Sequence, residues 1–345
     1  MRRAATKARR TRNIVMKLMG GAVLAALLVA STTFAAKAAP APGDATALLL
    51  AAEQHFQAGE YGTAISTLEA AVARNPYSAD AYYWMARSYY ELRDFTKSIA
   101  QAERAVALNA KNSIYHQWLG RACGGEAQKK HSFFLARRVK KEFEQAVLLD
   151  PSNISARRDL EEYCIEAPWI IGGSKDQAYA QVQAIEQIDA TEGHLAQAVY
   201  YQEAANRTDL AEKEYRQVLS SAPSKIEPYF EIMYFFQSRG EAAEIEHAIT
   251  AAAQVNANDP RLGYYRGVAR VLSGSDPDGA EAYLKSFLAT TPDRSDWPPH
   301  ASAREWLGRL YESQGNRVAA AEQYRAALRL DPDRSEARER LRRLE

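Results

Sequence analysis

Apolar and polar residues alternate along most of this chain with the period of an α-helix, and prolines interrupt the pattern at similar intervals. Residues 301–334 show the pattern most fully. Eight residues there fall at positions 7, 8, 11, 15, 20, 24, 27 and 32 of a 34-residue unit: Leu307, Gly308, Tyr311, Gly315, Ala320, Tyr324, Ala327 and Pro332. Small residues at fixed places predict two closely crossing helices, and the proline predicts where the second helix ends.

The same register recurs toward the N-terminus. In the unit that starts at Ala45, positions 8, 20 and 27 are alanines, and Pro76 occupies position 32. The third and fourth units are longer, with extra residues at 124–134 and 166–176 that we expect to form two loops on the same edge. A single unit cannot bury its apolar face alone, so the pattern favours stacked units over an irregular helical bundle.

This pattern resembles the tetratricopeptide repeat, a helix–turn–helix unit with small residues at positions 8, 20 and 27. The resemblance implies an all-α, right-handed superhelical solenoid with a capping helix at 335–345. The eight predicted units are 45–78, 79–112, 113–153, 154–190, 192–225, 226–259, 261–294 and 301–334. Residues 167–178 also resemble a run in exported bacterial tetratricopeptide proteins of unassigned function, which implies no activity.

The N-terminal segment has the pattern of an export signal. Residues 1–43 hold eight basic residues and no acidic one. Within this segment, the basic N-terminal part is followed by an apolar run from Leu18 to Ala30. We expect a signal peptide at 1–38, cleaved near Ala38, and a linker at 39–44, which makes the protein periplasmic or secreted. An uncleaved inner-membrane anchor is the alternative. Cleavage leaves 36 of the 44 basic residues beside 43 acidic ones, which argues against nucleic-acid binding.

Catalysis is not expected from this sequence. The six histidines are scattered, and none has the spacing of a zinc-protease helix. No nucleophile elbow and no phosphate-binding loop is present. We therefore predict a non-enzymatic protein without a cofactor or a metal site.

The resemblance also implies which side chains line the concave face of the array. These are Tyr83, Arg87, Tyr90, Arg121, Arg158, Tyr200, Phe230, Tyr234 and Tyr265. We hypothesise that the aromatic residues anchor a polypeptide and that the three arginines meet a carboxylate. The alternative is that the charges are solvated or paired internally and that the aromatic residues only pack.

Residues 167–178 interrupt the helical pattern with a proline, three bulky apolar residues and two glycines. We predict that Trp169, Ile170 and Ile171 form an apolar knob, after which the glycines turn the chain with positive φ. The knob either covers the junction of units three and four, which is the favoured interpretation, or is exposed as a docking site. A third interpretation is an anion site at the following helix, with Lys175.

Two cysteines, Cys123 and Cys164, occupy the same repeat position in adjacent units. Neighbouring helices pack about 8–10 Å apart, whereas bridged cysteines need Cα atoms within about 7 Å. We expect two buried thiols, with a disulfide as the alternative.

The combined interpretation is a non-catalytic protein–protein interaction scaffold or client-binding adaptor in the bacterial cell envelope. Two alternatives remain open at this point: a structural subunit of an envelope or secretion assembly, and a glycan- or cell-wall-binding protein. The exposed residues of a repeat frame, and not the frame itself, decide the partner.

Overall fold

The structure is a computed structural model that describes residues 45–345. The predicted signal peptide and linker lie outside the described residues. Within the described part, the chain forms two compact units, an N-terminal unit of residues 45–188 and a C-terminal unit of residues 189–345. Seventeen α-helices and no β-strand occur in residues 45–345, so the all-α prediction is confirmed.

The N-terminal unit consists of four helical pairs. Its helices are α1 (Ala45–Gln57), α2 (Tyr61–Arg74), α3 (Ala79–Glu91), α4 (Phe95–Leu108), α5 (Ser113–Lys130), α6 (Phe133–Leu149), α7 (Ile154–Glu166) and α8 (Lys175–Glu186). A short 3₁₀ turn, Trp169–Ile171, lies between α7 and α8. Each helix packs on the next, and α3 also packs on α1 and α5, which stacks the pairs side by side.

The C-terminal unit consists of four further pairs and a last helix. Its helices are α9 (Ala190–Val199), α10 (Thr208–Ser220), α11 (Glu227–Arg239), α12 (Ala242–Asn256), α13 (Arg261–Ser273), α14 (Pro277–Thr290), α15 (His300–Ser313), α16 (Arg317–Leu330) and α17 (Ser335–Leu344). Helix α9 continues into one turn of π-helix, Tyr200–Ala204. The last helix packs on α16 and buries Ala337.

Small residues permit the close crossing within each pair. A Cβ atom added to Gly120 would lie 2.5 Å from the ring of Phe143, and one added to Gly308 would lie 2.5 Å from the ring of Tyr324. Both rings are buried, so they cannot move aside at low cost. The repeat register therefore has the packing cause that the sequence predicts.

The extra residues of the third unit do not form the predicted loop. Helix α5 continues through residues 124–130, and a link of only two residues joins it to α6. Gly125 lies within this helix, where the ring of Phe95 leaves no room for a side chain, since a Cβ atom there would lie 2.6 Å from that ring. His131 then turns the chain with φ of 53°, and Ser132 caps α6 through Leu135 N.

Candidate functional site

The most distinctive polar group in the N-terminal unit is the guanidinium of Arg87, on helix α3. It lies close to four aromatic rings, and the distances from its carbon to the ring centres are 4.6 Å for Phe56, 5.6 Å for Tyr83, 4.5 Å for Trp84 and 4.6 Å for Trp118. We call these five residues the Arg87 site. Cations are attracted to the faces of aromatic rings at such distances. The site therefore holds one positive charge in apolar surroundings.

Arg87 has few hydrogen bonds for a half-buried arginine. Its Nη1 donates to Tyr83 Oη at 3.2 Å, while its Nε is buried and has no hydrogen-bond partner. Among residues 45–345, no carboxylate forms an ion pair with Arg87. A guanidinium can donate five hydrogen bonds and matches a carboxylate in a bidentate pair. The site therefore has donor capacity left for an acidic group.

Arg121 differs from its predicted role. It is 2% exposed, and its Nε and Nη2 donate to the two carboxylate oxygens of Asp159 at 2.7 and 3.2 Å. Gln117 also donates to Asp159, at 2.7 Å. A buried arginine that already forms a bidentate ion pair with a carboxylate is not available to a partner. Arg121 therefore joins two neighbouring helical pairs instead of presenting a charge.

Arg158, the third predicted arginine, lies among carboxylates. Burial raises the pKa of Glu162 well above its usual value, the charges of Glu166 and Asp159 raise it further, and Arg158 opposes them. Arg158 is itself partly buried and has interactions within the protein. Of the three predicted arginines, Arg87 is thus the one that the described residues leave without an acidic partner.

Several predicted aromatic anchors are core residues. Tyr90 is buried and packs edge-on against Phe95 and Trp118, with ring centres 5.2 and 5.7 Å apart. Tyr83 is half-buried and forms one wall of the Arg87 site. The prediction that Tyr90 faces a partner needs correction, because its ring fills the space between helices.

In the C-terminal unit, Phe230 and Tyr265 are also buried, and their rings stack with centres 5.9 Å apart. The guanidinium of Arg261 lies 3.9 Å above Phe230, but it is paired with Asp259 at 2.7 Å. Phe230 and Tyr265 are therefore packed in the core, and the arginine that covers Phe230 already has an acidic partner. Tyr200 and Tyr234 are partly buried, and both make contacts within the protein.

The sequence reasoning missed the two tryptophans of the Arg87 site, although a signal for them exists. Tryptophan and arginine recur three residues apart, at positions 6 and 9, in three units: Trp84 and Arg87, Trp118 and Arg121, Trp306 and Arg309. In each pair the guanidinium lies over the indole, at 4.5, 5.0 and 4.2 Å. Residues three apart on a helix are neighbours, so the spacing itself predicts the contact.

The three pairs differ in their counter-ions. Arg121 pairs with Asp159, and Arg309 pairs with Glu305 at 3.2 Å and Glu336 at 2.6 Å. Arg87 has the same aromatic support and no such carboxylate among the described residues. The tryptophan–arginine contact is therefore the same at Arg87 as in the other two pairs, but the charge of Arg87 has no ion-pair partner among the described residues.

The loop at residues 167–178 has the predicted turn at only one of its two glycines, because Gly172 has positive φ and Gly173 does not. Gly172 has φ of 101°, and Ser174 caps α8 by accepting from Gln177 N at 3.3 Å. A Cβ atom at Gly173 would collide with the carbonyl oxygen of Ala167, so only glycine fits there. The favoured interpretation, that the knob covers the junction of units three and four, is wrong for Trp169 and Ile170, which are 84% and 57% exposed. Ile171 alone of the three is partly buried. Lys175 begins α8 and has interactions within the protein.

Both cysteines are free and buried, as the packing distances favoured. Burial raises the pKa of the Cys123 thiol to about 12 and that of the Cys164 thiol to about 11. The Cys164 thiol also contacts Gln177 Oε1 at 3.8 Å. Both groups therefore stay protonated at neutral pH and act as small apolar side chains.

Residues 45–345 contain no group of three or more histidine, cysteine, aspartate or glutamate side chains arranged to hold a metal ion. In the same part of the chain, no helix combines the length and the apolar character that crossing a bilayer requires.

Of the histidines, His116 is buried and pairs with Glu142 at 2.7 Å, while its second ring nitrogen lies 3.1 Å from Ala110 O. Its interactions thus connect α5 with α6 and with the preceding turn.

Comparisons with known proteins agree with this architecture. One family model described as tetratricopeptide repeat matches residues 55–121, and a second with the same description matches residues 25–79 and 271–335. No curated protein matches this chain.

Two tetratricopeptide repeat proteins are among the solved structures that this chain matches. A thermophilic tetratricopeptide repeat protein of Thermus thermophilus is 19% identical, with 54% of this chain and 95% of that chain covered and a TM-score of 0.45. A tetratricopeptide repeat protein of Parabacteroides merdae is 12% identical, with 87% and 98% covered and a TM-score of 0.47. The matched residues therefore carry tetratricopeptide repeats, and the eight helical pairs of residues 45–345 have the fold of such repeats.

Proposed function

We propose that this protein is a non-catalytic scaffold or client-binding adaptor of the bacterial cell envelope, and that it binds an acidic polypeptide segment at the Arg87 site. The family consists in general of protein-interaction scaffolds. The observation that carries the proposal is the guanidinium of Arg87, which four aromatic rings surround and which lacks a carboxylate among residues 45–345.

The mechanism of binding follows from the geometry. A carboxylate from the partner pairs with the free donors of Arg87 and receives charge-assisted hydrogen bonds, which are stronger than neutral ones. The partly exposed rings of Tyr83 and Trp84 offer apolar area to the flanking residues of the segment, and the buried ring of Trp118 lies behind the guanidinium. Tryptophan, tyrosine and arginine are the residues that most often contribute large binding energies.

The location in the envelope is supported by the sequence of residues 1–38. A basic start, a short apolar run and the Ala36-Lys37-Ala38 site are typical of a cleaved signal peptide. N-terminal sequencing of the protein recovered from a bacterial host tests this part. A mature N-terminus near residue 39 supports export, and an intact Met1 in the cytoplasmic fraction contradicts it.

Site-specific photo-crosslinking tests the binding proposal. A photoreactive phenylalanine analogue at Tyr83 places the probe on the wall of the Arg87 site, and the same analogue at Tyr77, which is 81% exposed on a turn, serves as the control. We expect a polypeptide adduct from position 83 that disappears when Arg87→Gln is added. Equal capture from both positions, or capture that ignores Arg87→Gln, would contradict the proposal.

A further inference from the structure

Four large apolar side chains at one end of the N-terminal unit are exposed. Phe133 and Phe134 begin helix α6, and Trp169 and Ile170 lie in the 3₁₀ turn. Their exposed fractions are 68, 79, 84 and 57%. We call these four residues the apolar tip. Exposed apolar groups that lie together mark a surface that contacts something else.

The two halves of the apolar tip are joined by hydrogen bonds. Arg137 Nη2 donates to Ile170 O at 3.3 Å, and Lys140 Nζ donates to Gly172 O at 2.8 Å. Phe133 and Phe134 precede Arg137 by four and three residues, so they lie one helical turn away on the same side of α6. The face of α6 that begins at the phenylalanines thus continues onto the turn that carries Trp169.

Several hydrogen bonds hold the backbone of the turn that carries Trp169. Tyr163 Oη donates to Ile171 O at 2.8 Å, and Ser174 N donates to Cys164 O at 2.8 Å. Gly173 N donates to Pro168 O at 3.2 Å, inside the same turn. These bonds fix the turn while leaving the side chains of Trp169 and Ile170 in solvent.

The side of the apolar tip that helix α6 and the end of α5 form is cationic. Residues 127–141 contain six lysines and arginines and no acidic residue. Three of them, Lys129, Arg137 and Lys141, have no carboxylate partner within the part of the chain that the structure describes. The other three are paired, Lys130 with Glu126, Arg138 with Glu103 and Lys140 with Glu144. Three positive charges on this side of the apolar tip therefore form no ion pair with a described carboxylate.

We propose that the apolar tip docks on the surface of an anionic lipid bilayer. The rings of Phe133, Phe134 and Trp169 enter the boundary between headgroups and acyl chains, where aromatic side chains are favoured. Lys129, Arg137 and Lys141 then meet the lipid phosphates. Apolar insertion combined with a cationic patch is the pair of signals that gives a peripheral protein stable membrane attachment.

A bilayer fits this surface better than an acidic polypeptide does. The apolar tip carries four exposed side chains on a helix end and a turn, so a protein partner would need a matching cavity to cover them. An acidic polypeptide without such a cavity would neutralise the cations and leave the rings in water. A bilayer deforms around inserted side chains and supplies the negative charge in the same plane.

The fluorescence of Trp169 gives a local test in the full-length protein. Of the five tryptophans, Trp169 is the exposed one, and subtracting the spectrum of Trp169→Phe isolates its emission. Vesicles of brominated phosphatidylcholine, with and without phosphatidylglycerol, quench a tryptophan only when it enters the bilayer. This local signal is needed because residues 1–43 are basic and apolar and can attach to vesicles on their own.

Matched variants separate the contribution of the cations. The test variant is Lys129→Gln/Arg137→Gln/Lys141→Gln, and the control with the same charge change is Arg74→Gln/Arg104→Gln/Lys111→Gln, at exposed positions of the same unit. Each lost contact weakens partitioning about fivefold, so the test variant should need about a hundredfold more lipid. Phe133→Ser/Phe134→Ser/Ile170→Ser should abolish the quenching, while circular dichroism stays unchanged.

The outcomes divide cleanly. Quenching of Trp169 by anionic vesicles, reduced in the test variant and retained in the control, supports docking. No quenching of the wild-type protein, or equal titrations for test and control variants, would overturn it. If instead polyglutamate shields Trp169 from a soluble quencher and vesicles do not quench it, the surface belongs to an acidic polypeptide and the bilayer proposal is wrong. The Arg87 site shares no residue with the apolar tip, so the two proposals fail separately.

Discussion

The guanidinium carbon of Arg87 lies 4.6 Å from the ring centre of Trp118, and the same indole lies 5.0 Å from the guanidinium carbon of Arg121. The two arginines therefore share one aromatic neighbour and differ in their acidic partners. Asp159 neutralises Arg121 inside the fold, whereas no described carboxylate neutralises Arg87. This difference assigns a structural role to Arg121 and leaves Arg87 for binding.

Substitution of the two arginines should separate stability from binding. Arg121→Ala leaves the buried carboxylate of Asp159 without its ionic partner, and we expect a loss of about 3–5 kcal/mol in the free energy of unfolding. Arg87→Gln breaks no ion pair among the described residues but removes the contacts of the guanidinium with four rings, so its loss should be smaller, about 1–2 kcal/mol. Urea titrations followed by circular dichroism measure both values. Equal losses in the two variants would contradict the assignment.

Repeat position alone could not predict this difference. Arg87 and Arg121 occupy the same position 9 of adjacent units, so the register treats them alike. The partner of Arg121 is 38 residues away, on α7, and becomes visible only when the helical pairs are stacked. The tryptophans beside them were in principle predictable, since their spacing from the arginines is constant and lies within one helix.

The glycines at the helix crossings should tolerate no side chain. In Gly308→Ala the new methyl group meets the buried ring of Tyr324, and overpacking of this kind costs about 1–3 kcal/mol. Gly62→Ala is the matched control, because nothing lies within 4 Å of its added Cβ atom, and alanine should gain up to about 1 kcal/mol in helix propensity. Thermal melts should shift in opposite directions. A stabilised Gly308→Ala variant would show that the crossing is looser than described.

The buried pair of His116 and Glu142 should make stability depend on pH. The hydrogen bond to Glu142 raises the pKa of His116 above its ordinary 6.5. Burial opposes ionisation of Glu142, but His116 and Arg138 outweigh this and lower its pKa below 4.5. The histidine's contribution is complete below pH 6.5 and is lost as the pH rises through its raised pKa. The glutamate's contribution is complete above pH 4.5 and is lost as the pH falls through its lowered pKa.

His116→Gln should therefore cost most between these two ordinary values. We expect a difference from wild type of about 1–3 kcal/mol near pH 5.5, which shrinks toward pH 9. Urea titrations across this range give the difference directly. Glu142→Gln should remove the same pH dependence. A difference between wild type and His116→Gln that stays constant from pH 5 to pH 9 would show that His116 acts by packing alone.

The cysteines should be unreactive in the folded protein. Burial raises the pKa of both thiols, and the thiolate is the reactive form. We expect slow alkylation by iodoacetamide at pH 8 in the native state and rapid labelling of two thiols in urea. Intact mass under non-reducing conditions counts them. The absence of any modified thiol in the unfolded chain would indicate a disulfide between them.

The helical pairing was predictable from the sequence because the small residues at helix crossings have a direct packing cause, as at Gly308 and Tyr324. The helical conformation of residues 124–130 was not predictable in this way, because two adjacent glycines are typical of a turn. Within α5, Gly125 instead leaves space for the ring of Phe95, about 30 residues earlier, a contact that the sequence alone does not reveal. The exposure of Trp169 was not predictable either, since an apolar run in a sequence does not show whether another part of the chain covers it.

The central claim is that Arg87 pairs with an acidic group of a bound polypeptide, and a double-mutant cycle tests it most directly. The peptide is the segment crosslinked at position 83, measured by isothermal titration calorimetry with its acidic residue intact or replaced by the amide. Wild type should lose about tenfold or more in affinity on this replacement, and Arg87→Gln should bind both peptides equally weakly. If Arg87→Gln still prefers the acidic peptide by the wild-type factor, Arg87 does not recognise the acidic group and the account is wrong.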